Sequence, residues 1–153
     1  MYHLQRTFDP IPQSVGQARG FVTFAIGCHV DNPRGDDIRS CVSELASNAI
    51  LHTGGSGNPF VVRVSTDQHG CVRLEVHDQA RDTGPVLADH LDTDATDGRG
   101  MLIVQLLSDD WGVDPSPTGK VVWSHFASAA QAAEHAACKP PTGPAARPGL
   151  PTT

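Results

Sequence analysis

Lysine is nearly missing from this chain of 153 residues: two lysines stand among 11 basic side chains, against 17 acidic ones, for a formal net charge of -6. There is no basic run and no basic–aromatic stripe, so a face built to neutralise nucleic-acid phosphates or to sit on an anionic membrane is disfavoured. Cysteine is sparse and unpaired in sequence. Cys28, Cys41, Cys71 and Cys138 include no C-x-x-C, which excludes the usual zinc and small-disulfide frameworks. Cys28 and Cys41 lie in helical patterns and Cys71 in a strand, so buried, reduced thiols are expected. The eight histidines are scattered without metal-ligand spacing, and no protein-held transition metal is expected. No apolar run approaches membrane-spanning length, and Met1–Arg6 lacks a basic segment followed by an apolar one. A soluble, cytoplasmic protein is expected.

The periodicity of the remaining sequence changes several times. Tyr2 to Phe8 alternates and reads as an edge strand, since Pro10 and Pro12 follow. Val15, Ala18, Val22 and Ala25 then recur at helical spacing, with Ser14 as the expected N-cap. Asp31–Gly35 breaks this helix, and a second is expected from near Asp36 to about His52, with Ile38, Val42, Leu45 and Ala49 as its buried stripe. Phe60–Ser65 and Cys71–Asp78 read as a hairpin turned at Asp67–Gly70. The second of these strands alternates Val72, Leu74 and Val76 with Arg73, Glu75 and His77, the pattern of a sheet covered on one face. Residues 79–97 carry no periodicity, and a loop of that length is usually functional.

Gly98-Arg99-Gly100 opens a third helix, expected to bury Leu102, Ile103, Leu106 and Leu107. A strand from Trp111, a turn at Pro115–Gly119 and a strand from Lys120 to Phe126 close the pattern. The expected fold is an α/β (α+β) two-layer sandwich: a mixed, mainly antiparallel sheet of about five strands with three helices on one face. Residues 1–130 form the expected domain, and 131–153 an Ala/Pro/Gly-rich tail, disordered toward its end.

Three segments carry chemistry. Glu44, Asn48 and His52 fall at i, i+4 and i+8, a polar row beside the buried stripe. Asp78 stands at a strand end, where a carboxylate can accept a hydrogen bond from an exocyclic amine. Gly98 and Gly100 bracket a helix start whose free N–H groups suit phosphate. An Asn oxygen is a hard ligand suited to Mg²⁺, and a Glu one turn away can take a proton from an attacking hydroxyl. Each position also has a plain structural reading: a solvated helix row, a turn-capping Asp, and simple turn glycines. Trp111 and Trp123 are expected to pack as core strand residues, and His77, His90 and His125 to be surface or strand residues.

The order Glu44-Leu-Ala-Ser-Asn48-Ala, Val76-His-Asp78, then Gly98-Arg-Gly100-Met-Leu-Ile-Val resembles the N, G1 and G2 boxes of the histidine-kinase-like (GHKL, Bergerat-fold) ATPases. The nearer likeness is to their bacterial anti-sigma-factor serine/threonine kinases, through Leu106–Gly112, Gly119–Trp123 and Ala18–Val22. The resemblance covers roughly residues 3–126 and implies the following roles. Asn48 coordinates Mg²⁺, Glu44 is the general base, Asp78 holds the adenine amine of ATP, and Gly98, Arg99 and Gly100 lie along its phosphates. His52 closes the N box beside the nucleotide, and residues 85–97 form the ATP lid. One departure stands out: Ala80 and Asp82 occupy positions that are glycine in much of the superfamily.

The function so implied is that of an ATP-dependent anti-sigma-factor kinase. It would bind a sigma factor and phosphorylate a small antagonist protein, with homodimerisation expected from the resemblance. The alternative, prompted by Ala80 and Asp82, is a nucleotide-responsive module that sequesters a sigma factor or other partner without catalysis.

Overall fold

In the computed structural model, residues 2–27, 30, 32–52, 57–79 and 97–131 are described. They form β1 (Tyr2–Phe8), α1 (Gln13–Ile26), α2 (Asn32–His52), β2 (Phe60–Thr66), β3 (Val72–Asp78), α3 (Asp97–Leu107), β4 (Asp110–Ser116) and β5 (Gly119–Phe126). The strands make one sheet in the order β1-β2-β3-β5-β4, with every neighbouring pair antiparallel. The expected mixed sheet is thus wholly antiparallel among the described residues. A fourth helical stretch at 129–131 raises the helix count above the expected three. Of the aperiodic residues 79–97, which include the expected lid, only Gln79 and Asp97 are described, and Cys28, Cys138 and the tail beyond Gln131 lie outside the described residues.

Alternation along β2 and β3 decides which face is covered. Phe60, Val62, Val64, Val72, Leu74 and Val76 are buried toward the helices, while the residues between them are only half-buried. Against this face α2 lays Ile38, Val42, Leu45 and Ala49, all at 4 % exposure or less, as their spacing predicts. Truncating one of the larger of these to alanine would cost about 2–5 kcal/mol, because a core filled to crystal-like density relaxes only partly around a void. Phe8 seals the β1 end, stacked on Phe60 at 5.6 Å and edge-on to Phe21 at 6.0 Å.

The elements depart from expectation at their ends. Ser14 does not cap α1; it is buried inside the first turn, and Pro12, already in helical conformation, stands at the cap. Proline is preset for a helix start because its fixed φ suits the first turn and its missing N–H is not needed there. For the same reason Pro33 begins a helix rather than breaking one, and α2 starts at Asn32, not Asp36. In α3 the apolar residues run nearly all round, so two stripes were available. The buried one uses Val104, with Met101 and Leu107 packed against the core, while Leu102 and Leu106 are exposed at 51 % and 72 %. The second hairpin turns at residues 117–118, tighter than Pro115–Gly119.

Arg34 fastens the start of α2 to the far side of the domain. Its Nη1 donates to the Leu107 carbonyl at 3.1 Å, its guanidinium ion-pairs with Asp109 and Asp37, and its Cζ lies over the Phe126 ring, 5.1 Å from the centroid. Asp109 in turn accepts from the Ala127 backbone N–H at 2.6 Å.

The uncovered face carries a row in register across all five strands: Gln5, Arg63, Glu75, Trp123 and Gly112. Arg63 donates to Gln5, and Glu75 gathers Arg63, Arg73 and His77. The Arg73 guanidinium sits 4.6 Å from the Trp123 ring, and that indole lies so close over Gly112 that a Cβ there would fall 2.6 Å from it. Trp111 packs against the core as expected, but Trp123 belongs to this open face.

Candidate functional site

The candidate site is read from the seam where α2 packs against α3 and from the end of β3. The 21-residue α2, with one face committed to the sheet, carries a polar row beside that face, and Asn48 of this row reaches α3. Glu44, Asn48 and His52 are all half-buried on α2, beside the fully buried Leu45 and Ala49. At the α3 end of this seam the Asn48 Nδ2 donates to the Met101 Sδ at 3.7 Å. Met101 directly follows Gly98-Arg99-Gly100, which lie in the first turn of α3. The carboxamide of one motif therefore sits one residue from the glycine-rich start of another, although 53 positions separate them in sequence.

Asp78 ends β3 on the helix-facing side, in line with Val72, Leu74 and Val76, and is only 2 % exposed. Its register neighbours are Phe60 on β2 and Lys120 on β5. Just beyond it, Asn58 Nδ2 donates to the Gln79 carbonyl at 3.3 Å, tying the chain leaving β3 to the segment entering β2. A carboxylate kept from water at the rim of an apolar layer needs donors, and one from a ligand serves as well as one from protein.

Charge along α2 is ordered. Cys41, one turn before Glu44, has its thiol pushed up to about 12, first by burial and then by the Asp37 carboxylate; Arg34 pulls the other way and Glu44 adds a smaller upward push. The acid of the row thus stands close enough to be felt inside the core, while its own side chain remains half-buried. Toward the opposite end of the sheet, roughly 20 Å along β3 from Asp78, Arg34, His69, Val72 and Phe126 help line a cavity of about 220 Å³. It shares no residue with the row or with Asp78.

Of the residues singled out by sequence, the structure brings Asn48 to the start of α3, keeps Glu44 and His52 on its row, and buries Asp78 below the helix layer. Three residues were missed. Met101 looked like one apolar residue among several in α3. Asn58, in the connection before β2, was not singled out. Lys120 was read as a strand start and as part of the Gly119–Trp123 stretch, without its register pairing with Asp78.

The histidine kinase-like ATPase domain family matches residues 8–126. The fold is similar to the RsbU and RsbW domains of a Mycobacterium tuberculosis protein, with a TM-score of 0.62 at 19 % identity, covering 84 % of this chain and 33 % of that one. It is also similar to the histidine kinase domain of a blue-light-activated histidine kinase from Erythrobacter litoralis, with a TM-score of 0.52 at 18 % identity, over 78 % of this chain and 61 % of that one. The chain thus spans a third to three-fifths of the length of these structures. No curated protein matches it. With the match extending over most of its length, the chain belongs to the histidine kinase-like ATPase domain family.

Proposed function

We propose that this histidine kinase-like ATPase domain is an anti-sigma-factor protein serine/threonine kinase, using ATP and Mg²⁺ to phosphorylate a small antagonist protein and otherwise holding a sigma factor. The observation that carries the reading is the contact of Asn48 with Met101, which sets a carboxamide beside the N-terminus of α3. Phosphoryl transfer is mainly positioning and charge neutralisation, and this seam supplies parts for both. The likeness in fold to a structure containing an RsbW domain accords with a regulatory role.

The residues present fit the nucleotide. Asn48 would offer an oxygen to Mg²⁺, which would neutralise phosphate charge. The N–H groups opening α3, around Gly98, Arg99 and Gly100, would hold the phosphates. Asp78, buried at the strand end, would accept from the adenine amine, and His52, half-buried at the close of the row, would flank the nucleotide. Bound ATP would supply the phosphoryl group. Glu44 would take the proton from the partner's hydroxyl as its oxygen bonds to the terminal phosphorus of ATP and the bond to ADP breaks, ADP leaving.

Calorimetry of ATP binding with and without Mg²⁺, on wild type and Asn48→Ala, tests the site. Wild type should bind more tightly with Mg²⁺, and Asn48→Ala should lose about tenfold or more of that gain. Wild-type protein that binds no ATP would overturn the reading. For the chemistry, Glu44→Gln should lower phosphate transfer by about 10²–10⁴-fold while ATP affinity stays within about twofold. Unchanged transfer in that variant would remove Glu44 as the base.

A second reading is favoured by Ala80 and Asp82, which stand where glycines are usual. It is a nucleotide-responsive module that sequesters its partner and transfers nothing. Radiolabelled ATP mixed with candidate antagonists separates the two, since only a kinase labels the antagonist.

A further inference from the structure

A carboxamide has two unlike ends, and only one of them can serve a cation. The Asn48 oxygen is a ligand, whereas its NH₂ group would present hydrogens to a dication and repel it. Which end faces the site is decided by the partner that the other end meets. In this chain that partner is a thioether: Asn48 Nδ2 lies 3.7 Å from the Met101 Sδ. A thioether accepts weakly and cannot donate, so it is satisfied by the NH₂ end and gains nothing from the oxygen. It is also a soft donor, poorly matched to Mg²⁺, so it can orient the amide without competing for the metal. The Met101 side chain is half-buried and packs against the core.

We infer that Met101 is a positioning residue for Asn48, its sulfur holding the carboxamide with nitrogen toward α3 and oxygen turned to the metal position. This rests on the reading of Asn48 as the Mg²⁺ ligand. Any apolar side chain at 101 would fill the space; only one with an acceptor sets the amide.

The chain permits an unusually clean test, because Met1 and Met101 are its only methionines. Full-length protein made with norleucine replaces the 101 sulfur by a methylene of similar size, and selenomethionine protein retains an acceptor. ATP affinity is measured with and without Mg²⁺ for all three, with thermal unfolding to check that each is folded. The ratio of the two affinities should fall about three- to tenfold in the norleucine protein, below or at the low end of what outer-shell partners contribute. Mg²⁺-free affinity should hold within about twofold, whereas a purely structural defect would weaken both affinities together. Selenomethionine protein should match methionine protein. Without any nucleotide, the Asn48 side-chain NH₂ resonance, identified by its loss in Asn48→Ala, should move in the norleucine protein. An unchanged affinity ratio in that protein overturns the role of Met101 and leaves the nucleotide site standing. A methionine protein whose ATP affinity is indifferent to Mg²⁺ overturns the site reading and this inference with it.

Discussion

With a thiol pushed up to about 12, first by burial, Cys41 is held protonated across the physiological range. Only the thiolate is nucleophilic, and a three-unit rise lowers its population about a thousandfold. Iodoacetamide at pH 8 should therefore label Cys41 more slowly in folded protein than in urea by two to three orders of magnitude, read by mass spectrometry; equal rates would contradict the burial. Asp67 shows the opposite balance. Its slight burial raises the carboxyl, but hydrogen bonds from the Cys71 and His69 N–H groups outweigh this and hold it below the usual range. A carboxyl depressed in the native state stabilises the fold above its unfolded pKa, and the contribution is lost as pH falls through its native value. Asp67→Asn, which keeps an acceptor but not the charge, should flatten the acid limb of the melting temperature against pH. A limb as steep as that of wild type would show that other groups set it.

Elements were legible where periodicity was strong and unopposed. The stripe of α2 and the alternation of β3 each admit one burial pattern, and both are observed. In α3 the run Met101 to Leu107 is apolar on nearly every side, so spacing alone could not choose between stripes; packing against α2 and the Arg34 contact to Leu107 chose. Asn48 was readable because a polar side chain beside a buried stripe is conspicuous. Its partner Met101 was not, since an apolar residue in an apolar helix gives no signal until the tertiary contact exists. Within the sheet, Gly112 is glycine for a reason visible only across strands: Trp123 occupies the place of its Cβ. Gly112→Ala should force the indole away and cost about 1–3 kcal/mol in chemical denaturation, the range for overpacking. Tryptophan emission should shift to the red as the ring leaves its bed. A variant as stable as wild type would show that the ring moves freely.

For the molecule as a whole, Arg34 joins the start of α2, the end of α3, the turn before β4 and the end of β5. Half of this is an ion pair with an exposed partner, which by itself contributes little. The rest is a charge-assisted bond to a helix-end carbonyl and the cover over Phe126, so Arg34→Ala should cost about 2–3 kcal/mol. Arg34→Lys should recover only part of this, because a lysine cannot lie flat on the ring and reach two acceptors. Urea unfolding of both variants measures the difference, and a loss under about 0.5 kcal/mol, the level of an ordinary surface change, would rule the fastening out.

The strand order has a consequence for how the chain finds this structure. β2–β3 and β4–β5 are local hairpins, able to close on themselves, whereas β3–β5 must bring together strands on either side of the long segment after Asp78 and α3. Because the entropy of joining two ends grows only with the logarithm of the length between them, doubling that segment would add about 0.6 kcal/mol to the closure. β1–β2, which closes across α1 and α2, is non-local as well, so these two joins are the slow steps to expect in folding, and the segment after Asp78 is a place where chain can be gained or lost at small thermodynamic cost.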